Sequence, residues 1–164
     1  MVFEAETLTL AQSALDACRA RGWHLATAES CTGGLIAAAL TAIARSSDVV
    51  ERGFVAYSNE AKSQLLGVPP ETIAANGAVS AETAAAMAQG AVARAPVDLA
   101  ISVTGVAGPG GGSAAKPVGL VIFGVARREG PCRTERYVFD GDRAAVREAA
   151  LQVALRLIEA ETHR

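Results

Sequence analysis

The sequence predicts an α/β protein, a three-layer α/β/α sandwich around a mixed, mostly parallel sheet, with residues 1–164 forming one domain. Three observations carry this expectation. Strand-like runs alternate with helical segments through most of the chain, the order of a βαβ architecture. The run Val97–Thr104 is nearly continuously apolar, as expected of a strand covered on both faces. After it, two strand-like segments follow one another directly, which calls for at least one antiparallel strand.

From Leu8 to Arg21 apolar residues recur at helical spacing, Gly22 supplies a stop signal, and Trp23–Thr27 reads as a strand. Gly33-Gly34 opens an alanine-rich helix to about Ala44, Gly53–Tyr57 reads as a second strand, and Asn59 caps a short helix to Leu66. Val68-Pro69-Pro70 then breaks the pattern. Ser80 caps a helix to about Arg94, the apolar strand follows, and a glycine-rich loop leaves its end. Val118–Ala126 and Arg133–Phe139 form a hairpin around Glu129-Gly130-Pro131, and Asp142 caps a last amphipathic helix to about Glu161.

The 164 residues suffice to bury a core without disulfide or metal staples, and a composition 51% apolar and 20% charged is that of a globular chain. Net charge is −2 and the arginines are scattered, so no basic stripe offers itself to nucleic acid. The longest apolar run, Leu35–Ala44, contains Thr41 and falls far short of the roughly 20 residues that span a bilayer, so no membrane association is expected. The acidic start, Met1-Val2-Phe3-Glu4-Ala5-Glu6, lacks the layout of a secretory signal. Cys18, Cys31 and Cys132 are odd in number and widely spaced, which fits a reducing, cytoplasmic location. With only His24 and His163 besides, no zinc cluster forms. Carboxylates could still hold a weak magnesium site, but no metal or cofactor is expected to be required.

Chemistry begins where the first strand ends. Ser30, in Glu29-Ser30-Cys31-Thr32-Gly33-Gly34, stands between a strand and a helix, beside amide donors that a helix amino terminus leaves unpaired. Acyl transfer needs such a nucleophile together with N–H groups that hold a developing oxyanion. The alternative is that Ser30 or Thr32 merely caps the helix, while Gly33 and Gly34 ease close packing. Cys31 is a rival nucleophile at the same terminus, or else a small packed residue.

A nucleophilic serine needs a base. His24 lies six residues upstream on the same predicted strand, roughly 20 Å away at about 3.3 Å per residue, and His163 is in the tail. A lysine is the next candidate, provided burial lowers its pKa. The chain holds 15 Lys and Arg residues, of which only Lys62 and Lys116 are lysines. A guanidinium cannot lose its proton at physiological pH, so a surviving lysine can mark a place where an amine is needed. Lys62 follows Tyr57-Ser58-Asn59-Glu60-Ala61, one turn into the predicted helix. It could act as the base at Ser30, with Tyr57 relaying the proton or holding the lysine. Equally, Tyr57 could be a wall residue and Lys62 a surface partner of Glu60.

The segment Thr104-Gly105-Val106-Ala107-Gly108-Pro109-Gly110-Gly111-Gly112, closed by Lys116-Pro117, leaves the carboxyl end of the apolar strand. Exposed amides there can form an anion-holding nest, with Lys116 as a point charge, or the segment is a flexible loop. It matches neither a P-loop nor a GxGxxG fingerprint. Arg143, at the start of the last helix, can make a bidentate contact to phosphate or carboxylate, or stand on the surface.

Together, Ala28-Glu29-Ser30-Cys31-Thr32-Gly33-Gly34, Tyr57-Ser58-Asn59 with Lys62, Gly77-Ala78-Val79-Ser80, Thr104-Gly105 through Gly112, and Lys116-Pro117-Val118-Gly119 resemble the CinA carboxy-terminal domain family. That family includes stand-alone nicotinamide-nucleotide amidohydrolases. The resemblance implies an α/β/α mixed sheet, a homodimer, and deamidation of a pyridine nucleotide, nicotinamide mononucleotide, to nicotinate mononucleotide and ammonia. It implies Ser30 as nucleophile with Tyr57 and Lys62 as partners. It places Cys31, Thr32, Gly33, Gly34, Asn59, Thr104, Gly105, Gly108, Gly110, Gly111, Lys116 and Arg143 on segments that resemble the substrate pocket. The sequence departs from the family pattern at Asn76, where many relatives have histidine, and at Ala44-Arg45-Ser46-Ser47, where Pro-Gly-Ser-Ser is usual. Two other readings remain: a nucleotide-binding or regulatory module without turnover, and an amidase for another small amide.

Overall fold

A computed structural model describes residues 3–164; Met1 and Val2, the beginning of the acidic start, lie outside the described residues. The described elements, in chain order, are α1 (Ala5–Arg21), β1 (Leu25–Glu29), α2 (Leu35–Thr41), β2 (Val50–Val55), α3 (Asn59–Leu66), α4 (Pro70–Asn76), α5 (Ala81–Arg94), β3 (Leu99–Gly105), β4 (Leu120–Arg127), β5 (Cys132–Val138) and α6 (Arg143–Thr162). The strands form one sheet in the order β2-β1-β3-β4-β5. β1 pairs in parallel with both β2 and β3, whereas β4 runs antiparallel to β3 and to β5. β4 alone is therefore reversed, and the sheet is mixed and mostly parallel, as the directly connected strands required.

Strand periodicity sorts the core into two layers. In β1, Leu25 faces the side packed with residues of α1, α2 and α6, including Leu15, Leu40 and Leu151. Ala26 and Ala28 face the other side, against Leu66, Ile73, Met87 and Ala91 of α3, α4 and α5. Small residues on this second face let α5 come close. The Ser102 hydroxyl donates to the Ala84 carbonyl at 2.6 Å. A Cβ at Gly124 would collide with that same carbonyl. Along α5, Ala84, Met87, Ala88 and Ala91 follow the helical repeat and are buried.

Helix starts show where local sequence signals decide. Ser80 and Asp142 cap α5 and α6, accepting from the amides of Thr83 and Ala145. Three expectations need correction. The cap of α3 is Ser58, whose side chain accepts from Ala61, and Asn59 is the first helical residue. The Pro69-Pro70 segment does not only break the pattern: Pro70 opens α4, because proline at the first helical position sacrifices no hydrogen bond. α2 ends at Thr41, sooner than its alanines suggest, and a 3-10 turn at Ser46–Asp48 follows. Arg45 precedes that turn with φ of 64°, a conformation in which glycine would be unstrained.

Candidate active site

The carboxyl ends of β1, β2 and β3 meet at one edge of the sheet, and Ser30 stands there, extending the ladder through its N–H to the Val103 carbonyl at 2.9 Å. Alternation along the strand sends adjacent side chains to opposite faces. Glu29 therefore turns toward α2 and Ser30 toward α3. On the α3 side, Lys62 and Leu66 are four residues apart and share the helix's buried face. Lys62 is 1% exposed. Its Nζ donates to Ser30 Oγ at 3.0 Å and to the Tyr57 carbonyl at 3.1 Å. Both acceptors are neutral, and burial pulls the amine's pKa below the ordinary lysine value. The surface reading of Lys62 is thus excluded by the fold.

Neither Ser30 nor Thr32 caps α2. Glu29 does so, fully buried beneath the helix start. Its Oε2 accepts from the Thr32 hydroxyl at 2.7 Å and from the amides of Gly34 and Ile36 at 3.0 and 3.1 Å, and its Oε1 accepts from the Ala37 amide at 2.9 Å. A carboxylate at this end of a helix also faces the positive pole of the helix dipole. The amides that α2 would have offered an anion are consequently occupied. The donors left without a backbone partner lie earlier, in the turn: among the described residues, the N–H groups of Cys31 and Thr32 make no hydrogen bond to a backbone carbonyl. Gly33 and Gly34, with φ of 58° and 101°, make the left-handed turn that separates these amides from the helix.

Cys31 is a packed residue. Its thiol is buried in the core, and desolvation pushes its pKa up to about 11, so it is a poor nucleophile. Tyr57 contributes to the lysine through its carbonyl. The residue is 58% exposed, and its phenol oxygen accepts from Arg143 Nη2 at 3.0 Å. The phenol therefore has a different partner from the one a proton relay requires.

The glycine loop is tethered at two points. Arg143 Nη1 donates to the Gly108 carbonyl at 3.0 Å, and Lys116 Nζ donates to the Asn76 carbonyl at 2.6 Å. Lys116 is thus a strut between the loop and the end of α4, and at Asn76 it is the backbone that is used. Thr104 is also occupied, donating its hydroxyl to the Ala78 carbonyl at 2.7 Å. Gly105 is needed for close approach, since a Cβ there would meet the Leu120 carbonyl. Gly110 and Gly111 are exposed, Gly110 with open space around its Cα. Asn59 is exposed and lines a separate groove of about 430 Å³ between α3 and α4. Ala107, Pro109, Arg143 and Arg147 line a cleft of about 630 Å³ beside the tethered loop.

Two residues of the site were not singled out from the sequence, Glu29 and Arg147. Strand alternation at Ser30 signals the first, because it sends Glu29 under a helix that lacks a Ser or Asp cap. The i, i+4 spacing from Arg143 places Arg147 on the same face of α6 and signals the second. Arg147 donates through Nε to the Cys31 carbonyl and through Nη2 to the Thr32 carbonyl, each at 3.1 Å. His24 stands at the opposite end of β1, with its ring 3.7 Å from Asp98.

A serine hydroxyl in contact with a desolvated amine, at the carboxyl edge of a mixed sheet, defines an α/β protein with a buried serine–lysine pair. Within that class, the chain belongs to the family described as CinA C-terminal domain, whose model matches residues 7–162. It is 49% identical over 155 residues to "Nicotinamide-nucleotide amidohydrolase PncC" of Escherichia coli strain K12, covering 94% of each chain. It is 54% identical over 144 residues to the protein of that name from Enterobacter agglomerans, covering 85% of this chain and 88% of that one. Competence/damage inducible protein CihA from Agrobacterium tumefaciens has the same fold, with a TM-score of 0.95 at 45% identity, covering 100% of this chain and 99% of that one.

Proposed function

We propose that this protein hydrolyses the carboxamide of nicotinamide mononucleotide to nicotinate mononucleotide and ammonia, with Ser30 as nucleophile and Lys62 as base. The observation that carries the mechanism is the 3.0 Å contact between Lys62 Nζ and Ser30 Oγ in a buried setting. The substrate rests on the near full-length similarity to the amidohydrolases from Escherichia coli and Enterobacter agglomerans.

The neutral amine of Lys62 accepts the Ser30 proton while Oγ bonds to the carboxamide carbon. The carbonyl oxygen becomes an oxyanion held by the N–H groups of Cys31 and Thr32. Lys62 then returns the proton to the departing nitrogen, the C–N bond breaks and ammonia leaves. Water, deprotonated by the same amine, cleaves the acyl-serine to the acid and restores Ser30. Tyr57 holds Lys62 through its carbonyl. The nucleotide phosphate docks in the cleft between the glycine loop and α6, where Arg143 exchanges its Tyr57 and Gly108 contacts for phosphate oxygens.

The three cysteines are free thiols, two of them buried, which supports a cytoplasmic setting. Among the described residues no helix is long and apolar enough to cross a membrane. A homodimer formed by residues 1–164 as one domain is part of the same reading. It is supported by half-exposed Val55 on edge strand β2 and Val138 on edge strand β5, which a second copy would cover.

Ammonia release from nicotinamide mononucleotide tests the function. Wild type should turn over, while Ser30→Ala and Lys62→Arg should each lose at least about a thousandfold in kcat. Full activity in Ser30→Ala removes the mechanism. Tight nucleotide binding without product by wild type makes the protein a binding module instead.

A further inference from the structure

The turn that carries Ser30 is gripped from two sides by charged residues that the reaction does not itself consume. On one side lies the Glu29 carboxylate, which takes the Thr32 hydroxyl and the amides of Gly34, Ile36 and Ala37. On the other lies the Arg147 guanidinium, which reaches the carbonyls of Cys31 and Thr32 from α6, more than a hundred residues away in sequence. Each peptide unit is rigid and planar, so fixing a carbonyl fixes the amide that shares its plane. The Cys31 carbonyl shares its peptide with the Thr32 N–H. The Thr32 hydroxyl anchors the same residue to Glu29.

We propose that Glu29 and Arg147 are positioning residues that clamp the Ser30 turn, holding the Cys31 and Thr32 amides in an oxyanion-binding arrangement before substrate arrives. This rests on the amide-hydrolase reading of Ser30. The carboxylate is essential to the arrangement because it accepts only: it absorbs the three helix amides and leaves the two turn amides as the donors directed at the reacting carbonyl. Arg147 needs its planar fork, since one guanidinium reaches two carbonyls in adjacent peptides, which an ammonium cannot match. Free donors kept in place by the fold incur no reorganisation as charge develops on the carbonyl oxygen. Arg147 also lines the cleft where the phosphate is proposed to dock. The clamp predicts that its guanidinium acts on the turn and not on that anion.

Arg147→Lys and Glu29→Gln separate these roles. Arg147→Lys keeps the cation on a half-buried helix face. It should lower kcat for nicotinamide mononucleotide at least about tenfold while KM stays within about threefold, the signature of an interaction realised in the transition state. Glu29→Gln turns an NH2 group toward backbone donors and should do the same, with folding verified by circular dichroism. The rate at which a fluorophosphonate phosphonylates Ser30, with fluoride leaving and the serine proton passing to Lys62, supplies a second readout that does not depend on the substrate. Both variants should be labelled at least about tenfold more slowly than wild type. A kcat within twofold of wild type in Arg147→Lys, or a rise in KM alone, overturns the clamp and leaves the amidohydrolase reading standing. If wild type is labelled at Ser30 but releases no ammonia, the substrate reading fails and the labelling rates decide the clamp. Wild type that is neither labelled nor active overturns both.

Discussion

Lys62 donates a 3.0 Å hydrogen bond to Ser30 across 32 positions of sequence, and the residue is 1% exposed. The contact has two forms. As an ammonium, Lys62 donates to Oγ and the serine keeps its own proton. As a free amine it accepts from the serine hydroxyl, and only this form can take up the serine proton.

Activity should therefore depend on pH through Lys62. Burial places its folded pKa below the ordinary value of 10.5, so kcat/KM should rise with pH and level off before pH 10.5 is reached. Stability follows the same group. Between the folded value and 10.5 the unfolded chain binds the extra proton, so stability increases as pH rises through that window and is penalised below it. The unfolding free energy of wild type minus that of Lys62→Met, from urea titrations, should become more favourable to wild type as pH increases. A difference that stays flat with pH contradicts a depressed lysine.

Tyr57→Phe distinguishes holding from relaying. The Tyr57 carbonyl that accepts from Lys62 survives this change, and what disappears is the phenol oxygen bonded to Arg143. The expected outcome is a loss of less than about tenfold in kcat with a larger effect on KM, as Arg143 loses a partner. A drop of two orders of magnitude or more in kcat, at unchanged KM, would point to the phenol as a proton carrier.

Ser58→Ala should weaken α3, the helix that carries Lys62. The Ser58 side chain accepts from the Ala61 amide, and loss of such a cap costs about 1 kcal/mol. For a chain of this size that corresponds to a fall of about 2–4 °C in Tm, measurable by differential scanning calorimetry. Asn59→Ala, at the first helical position, should lower Tm by less. The reverse order would mean that Asn59 is the effective cap.

Cys31 should resist alkylation. A thiol pushed up to about 11 is thiolate in only about one molecule per thousand at pH 8, and the side chain is 6% exposed. Iodoacetamide at pH 8 should modify Cys31 in urea-unfolded protein at least about a hundredfold faster than in the native protein, as followed by peptide mass spectrometry. Fast labelling of the native thiol would reinstate Cys31 as a rival nucleophile.

Much of this protein is determined locally. The alternation of elements, the buried run that became β3, the caps at Ser80 and Asp142 and the hairpin order all follow from periodicity and from side chains that satisfy nearby amides. Ser30 and Lys62 were also legible as candidates, one by its place after a strand and the other by the scarcity of lysine. Tertiary structure decided what each does. Whether Ser30 capped a helix or met an amine depended on which face of β1 it occupied and on where α3 packed. The pKa of Lys62 is lowered because the fold removed its amine from water, an environment that no neighbour in sequence creates. Glu29 and Arg147 show the same division: a carboxylate next to Ser30 and an arginine one turn after Arg143 are ordinary in the linear chain. Strand β1 turns Glu29 under the start of α2, and packing of α6 brings Arg147 to the same turn, because hydrogen bonds between distant segments are set by where the sheet and helices place their backbones.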